Sequence, residues 1–208
     1  MFVICRSPKG GVGTSVVAAA LALRHAHAGH PTVLVDLAGD QPDLLGVAPS
    51  SSLGIGDWAA GGDDVPVEAL SALEVEVGGG LSLLPRGSVS SSDRLGVAAA
   101  VLGAGHRSVV IDAGITARPA WAPPDAVDVV VLRACYLGVR RAGRLAAGTR
   151  LVLLEEPGRA LRVADVEAAL GVEVWRRVVV DPAVARAVDA GLLSVRLPRS
   201  LRGLDLAS

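Results

Sequence analysis

The sequence predicts an α/β fold: a mostly parallel, doubly wound sheet with helices on both faces. Three observations carry that expectation. Short aliphatic runs alternate with longer helix-like segments through nearly the whole chain, the pattern of βα units that builds a parallel sheet. Val127 to Leu132 is a valine-rich run, as expected of a strand buried on both faces. A glycine-rich loop, Asp36 and Asp112 each follow the C-terminal end of an expected strand, and ligands bind beyond that edge in such sheets.

Taken in order, Phe2 to Arg6 is the first strand and Ser15 to about Gly29 the first helix, stopped by Pro31. Thr32 to Val35 is the second strand, closed by Asp36. Leu37 to Ser52 is rich in Gly, Pro, Asp and Ser and reads as a functional loop holding a short helix. Gly54 to Ala60 and Pro66 to Leu73 are further short helices. Glu74 to Val77 and Leu81 to Leu84 flank three glycines and form a hairpin. Ser90-Ser91-Ser92-Asp93 starts a helix that runs from Arg94 to Leu102.

A strand from Ser108 to Ile111 ends in Asp112, with Ala113-Gly114 turning away. Val127 to Leu132 and Leu151 to Leu154 are strands, separated by an arginine-studded helix from Gly138 to Ala147. Val163 to Leu170 is a helix ended by Gly171, Val174 to Val180 a strand, and Pro182 to Ala190 a helix started by Asp181. The tail from Arg196 is expected to be short and irregular.

The 208 residues suit one domain, 1–208, which buries roughly 70% of its unfolded surface. Apolar residues make up 51% and charged residues 20%, which excludes a disordered chain. No stretch approaches the ~20 apolar residues that span a bilayer, and the start is a strand and a glycine loop, not a signal peptide. Cys5 and Cys135 read as reduced thiols, so the expected compartment is the cytoplasm. Net charge is −1, yet residues 1–132 balance at −6 and residues 133–208 at +5. The basic part is either solvated surface or a contact for an acidic partner. His25, His27, His30 and His106 are expected on the surface without metal-like partners.

The informative stretch is Ser7-Pro8-Lys9-Gly10-Gly11-Val12-Gly13-Thr14-Ser15. Strand, glycine turn and helix start form a phosphate cradle, because glycines let backbone amides crowd an anion and the helix end adds partial positive charge. Lys9 is the only lysine in the chain.

These residues resemble the deviant Walker A loop of the ParA/MinD family of P-loop ATPases. Thr32 to Asp36, Val109 to Gly114 and the closing unit from Val172 to Gly191 are similar to that family's later motifs, so the resemblance spans nearly the whole chain. It implies a P-loop NTPase fold, ATP and Mg²⁺ as cofactors, and a homodimer. Lys9 would reach a nucleotide in the partner subunit. Gly10, Gly11, Val12, Gly13, Thr14 and Ser15 would cradle phosphate, with the Ser15 hydroxyl on Mg²⁺. Asp112 would hold a magnesium-bound water, and Asp36 lies where an acid orders the metal or the attacking water.

Three departures argue against efficient turnover. Thr14 replaces the loop lysine, a loss that commonly costs ~3 kcal/mol of transition-state stabilisation. Pro8 replaces the loop's usual first glycine. Ala38 stands where active relatives carry a second acid, and Asp40 is out of register. A similar lysine substitution marks an atypical branch resembling CpaE/TadZ-like and septum-site-determining proteins.

The resulting expectation is a nucleotide-dependent dimerising switch that positions a cellular cargo, with weak or absent hydrolysis. One alternative is a pseudo-ATPase scaffold working through protein contacts without nucleotide. Another, less favoured, is a DNA-associated partitioning protein using Arg140, Arg141, Arg144, Arg199 and Arg202. Membrane association is not expected, since Pro198 and Gly203 interrupt the C-terminal segment.

Overall fold

The computed structural model describes residues 1–48, 51–90 and 93–206. Its frame is an eight-stranded sheet of β1 (Phe2–Ser7), β2 (Thr32–Asp36), β3 (Val75–Gly78), β4 (Leu81–Leu84), β5 (Ser108–Ile115), β6 (Val127–Arg133), β7 (Arg150–Glu155) and β8 (Val174–Val179). The strand order is β3-β4-β2-β5-β1-β6-β7-β8. Every adjacent pair is parallel except β3 with β4, which forms the expected antiparallel hairpin.

Helices cover both faces, as alternation within the strands dictates. On one face α1 (Thr14–His27) packs on Val3, Cys5, Leu34, Val110, Val129 and Val131. The short helix α2 (Gln41–Leu45) lies on the α1 face, where Leu45 joins the same core. The opposite face of β1 and β2 carries Ile4, Val33 and Val35 against α3 (Ile55–Ala60) and the α4 (Ala69–Ala72) region, where Trp58 and Leu70 are buried, and against α5 (Leu95–Gly103). On that same side Val130, Leu132, Leu151 and Leu153 meet α6 (Tyr136–Ala142) and α7 (Val163–Leu170). The last helix, α8 (Pro182–Asp189), returns to the α1 face, where Ala187 joins the core.

Strand and helix identities follow the sequence closely, and the differences have local causes. β5 does not turn away after Asp112 but pairs with β1 through Ile115, because a register shift sets Arg6 against Gly114 and Ser7 against Ile115. Gly114 permits the kink with φ of 65°. The arginine-bearing helix runs from Tyr136 to Ala142, not Gly138 to Ala147, since Gly143 at φ 61° ends it. The expected helix over Pro66 to Leu73 is reduced to Ala69–Ala72. Of the serine cluster proposed to start α5, Ser91 and Ser92 lie outside the described residues, and Arg94 occupies the N-cap.

Two findings concern burial. The C-terminal tail is irregular, as expected, yet packed. Leu201, Leu204 and Leu206 are buried in the α1-face core, and a short 3-10 turn spans Arg199–Leu201. Apolar side chains in an irregular segment are still driven from water. His25 is likewise buried, hydrogen-bonded through Nε2 to the Ser108 hydroxyl at 2.9 Å and stacked on His30. His27, His30 and His106 are exposed, as expected. Cys5 is buried, Cys135 is half-buried, and both are free thiols.

Candidate nucleotide site at the C-terminal edge of the sheet

The glycine loop leaves β1, which lies between β5 and β6 at the centre of the sheet, at Ser7 and enters α1 at Thr14. Gly11 and Gly13 have φ of 72° and 82°, a backbone that L-residues with side chains rarely adopt. Gly13 is the N-cap of α1, and its carbonyl accepts the first helical bond from Val17. The Ser7 hydroxyl donates to the Lys9 carbonyl at 3.1 Å and fastens the start of the loop. Crowding fixes the rest: a Cβ on Gly10 would come 2.8 Å from Ile115 Cδ1, and one on Gly13 3.3 Å from Leu154 Cδ2.

A cavity of about 740 Å³ opens over this loop. Gly10, Gly11, Gly13, Thr14 and Ser15 line it, together with Ala38, Gly114 and Arg133. Val12 does not. Its side chain is 1% exposed and belongs to the α1-face core, so it can offer a ligand only backbone. Lys9 is half-buried and also lies outside the cavity lining. Thr14 is buried at the first position of α1.

Asp36 and Asp112 face one another in register on β2 and β5, and both are fully buried. Asp36 is tied to the loop that follows it: Oδ1 accepts from the amides of Ala38 (3.0 Å) and Gly39 (2.6 Å), and Oδ2 accepts from the Gln41 amide (3.1 Å). Burial pushes its pKa up to about 6 against those hydrogen bonds, with the neighbouring Asp112 charge adding to the rise. Asp112 accepts from the Gly114 amide (3.2 Å) and from Gln41 Nε2 (2.8 Å). Burial raises its pKa too, opposed by hydrogen bonds from Gln41, Ser15 and Gly114.

Gln41 was not singled out from the sequence, yet it joins the site together. It is fully buried, and the same Nε2 that reaches Asp112 also donates to the Ser15 carbonyl at 3.0 Å. Its Oε1 has no hydrogen-bond partner among the described residues. Arg133 was missed as well, as the last residue of a valine-rich strand. No motif marks either position. The only cue for Gln41 was its place in a polar loop after the second strand.

The residues present fit a nucleotide with Mg²⁺ in part. A glycine loop with left-handed Gly11 and Gly13 at the start of a 14-residue helix suits a phosphate anion. The Ser15 hydroxyl beside the Asp112 carboxylate is a hard oxygen pair of the kind that holds Mg²⁺ with phosphate oxygens and water. Among the described residues no cluster of three or more His, Cys, Asp or Glu could hold a metal on protein ligands alone. Asp36 has both oxygens engaged by backbone amides, which makes it first an anchor for the loop.

The C-terminal arginines do not form one surface. Arg199 and Arg202 sit with Arg186 and Arg196 around a cavity of about 580 Å³ beside α8. Arg140 and Arg141 lie on α6, which packs on Val130 and Leu132. α8 and the tail pack with Val129 and Val131, so the two groups occupy opposite faces of the sheet. No helix among the described residues is long and apolar enough to cross a membrane.

No family model and no curated protein matches the chain. Solved structures do. A ParA family ATPase from Chlorobium tepidum TLS aligns over 98% of this chain and 95% of its own, at TM-score 0.80 and 17% identity. The septum site-determining protein MinD from Pyrococcus horikoshii OT3, complexed with Mg-ADP, aligns over 97% and 91% at TM-score 0.76 and 20% identity. A putative plasmid partition protein from Borrelia burgdorferi B31, bound to AMPPNP, aligns over 98% and 96% at TM-score 0.70 and 14% identity. The chain therefore has the fold of the ParA/MinD ATPases, over nearly its whole length.

Proposed function

We propose that this chain is one ParA/MinD-like domain, residues 1–208, acting as a nucleotide-dependent dimerising switch that positions a cellular cargo. Hydrolysis of ATP is weak or absent. The observation that carries the reading is the glycine loop. Its glycines Gly11 and Gly13 take the left-handed backbone at the start of α1, near Ser15, at the strand edge where sheets of this kind bind ligands. Relatives of this fold have been solved with Mg-ADP, AMPPNP and ATP. Gly10, Gly11, Val12, Gly13, Thr14 and Ser15 hold phosphate, Ser15 and Asp112 hold Mg²⁺, and Asp36 anchors the start of the loop that follows β2. Thr14 offers a hydroxyl where an active loop offers a cation, and Ala38 offers no acid for the attacking water. That is why binding is retained while turnover falls.

Lys9 supports the dimeric reading. It is half-buried and stands outside its own cavity, as a lysine that serves a partner subunit must. Ile115 and Tyr136, 66% and 71% exposed, supply apolar surface at the same edge. Light scattering with and without ATP tests this: the expected result is an ATP-induced dimer that Lys9→Ala abolishes. A monomer under both conditions would contradict it.

One observation favours the scaffold reading as runner-up. Asp112 already accepts hydrogen bonds from Gln41, Ser15 and Gly114, which partly offset its burial without a metal. The division of the arginines between two faces weighs against a single DNA-binding surface. A cytoplasmic location completes the proposal.

A further inference from the structure

We propose that Arg133 supplies the positive charge that Thr14 does not, binding the phosphates of a nucleoside di- or triphosphate from the end of β6. The inference rests on the nucleotide-binding reading above and adds the residue that makes it electrostatically workable.

Arg133 closes β6, the neighbour of β1 on the side away from β5, so its strand end stands beside the glycine loop. It is the only basic residue among the described residues that line the 740 Å³ cavity. The lining also includes Asp40 and Asp43, so within one subunit a polyphosphate would otherwise meet acidic and neutral side chains alone. A guanidinium is well matched here, because its planar fork gives paired hydrogen bonds to phosphate oxygens.

The present partners of Arg133 leave it under-used. Its Nε is buried without an acceptor among the described residues, which is costly for a donor. The nearest acid, Glu156, is 3.9 Å from Nη1, beyond hydrogen-bonding distance, and Glu156 is already held directly by Arg159. The Arg133 side chain is 33% exposed, so it is reachable by a ligand and not sealed in the core. A partly exposed guanidinium with only a loose acid contact, lining an anion cradle that lacks its own lysine, points to phosphate oxygens as the acceptors it would take.

The test is a calorimetric titration of the full chain with ATP and with ADP, each with Mg²⁺, on four proteins: wild type, Arg133→Ala, Arg133→Lys and Glu156→Gln. Melting curves check that each variant is folded. The expected results are binding by wild type, a roughly ten- to hundredfold loss in Arg133→Ala, partial recovery in Arg133→Lys, and unchanged or tighter binding in Glu156→Gln. Wild-type affinity in folded Arg133→Ala would overturn the inference while leaving nucleotide binding intact. Equal losses in Arg133→Ala and Glu156→Gln would also overturn it, by showing that the pair acts as a structural contact. Absence of binding by the wild type would refute the nucleotide reading itself, and this inference with it.

Discussion

Asp36 and Asp112 stand opposite one another in register on adjacent parallel strands, and one residue, Gln41, donates to both. Its backbone amide reaches Asp36 and its side-chain amide reaches Asp112. Two buried carboxylates side by side repel, which is part of why the pKa of Asp36 lies near 6. A neutral amide placed across both keeps the pair together in the absence of a cation.

That bridge makes Gln41 a stability determinant. Gln41→Ala removes the donor to a fully buried carboxylate and to the Ser15 carbonyl, which is expected to cost about 1–3 kcal/mol. Urea unfolding at pH 7 measures it. Gln41→Glu should be worse at pH 7, since it adds a third carboxylate, and should partly recover at pH 5. A midpoint equal to wild type in both variants would mean that the bridge does not form.

The acid pair also sets a titration. The folded pKa of Asp36, about 6, lies above its ordinary 3.8, so the folded state holds the proton more firmly than the unfolded chain. The resulting stabilisation is complete below about pH 4 and is lost as pH rises through 6. Carboxyl-carbon NMR should show a group titrating near 6 that moves to lower pH in Asp112→Asn, where the neighbouring charge is gone. A titration near 4 in the wild type would contradict the geometry.

His25 has the opposite sign. Burial, and then the stacked His30, lower its pKa below 6.5, so the unfolded chain binds the proton more readily. Its contribution to stability is therefore full above about pH 6.5 and declines as pH falls through that value. Denaturation midpoints at pH 7.5 and 5.5 should differ more in the wild type than in His25→Gln. Equal pH slopes in the two proteins would show that His25 is solvated.

Much of this molecule was legible in its sequence because the relevant signals are local. Strand, glycine turn and helix start are contiguous from Phe2 to His27, and Asp36 and Asp112 end hydrophobic runs, so their common edge followed from the βα alternation. What escaped was set by long-range packing. Gln41 acquires its role only when the loop after β2 folds back under α1. Arg133 does so only because β6 lies beside β1. The continuation of β5 through Ala113-Gly114 was hidden because neither residue favours strands, while pairing with β1 imposes one.

The tail shows the same principle. Pro198 and Gly203 made it read as irregular, yet Leu201, Leu204 and Leu206 are 1%, 1% and 4% exposed. Leu204→Ala should cost about 2–5 kcal/mol, as buried leucines do, with the loss read from chemical unfolding. A loss below 0.5 kcal/mol would mean that the tail is not part of the core.

The most direct test of nucleotide binding without efficient turnover combines two readings on one sample. The wild type is titrated with ATP and Mg²⁺ in a calorimeter, and phosphate release is followed in the same buffer, with Thr14→Lys as comparison. The expected result is saturable heat from the wild type with little or no phosphate released, and faster release from Thr14→Lys. No heat with ATP would contradict the switch and leave a scaffold. Rapid release by the wild type would contradict the role assigned to Thr14.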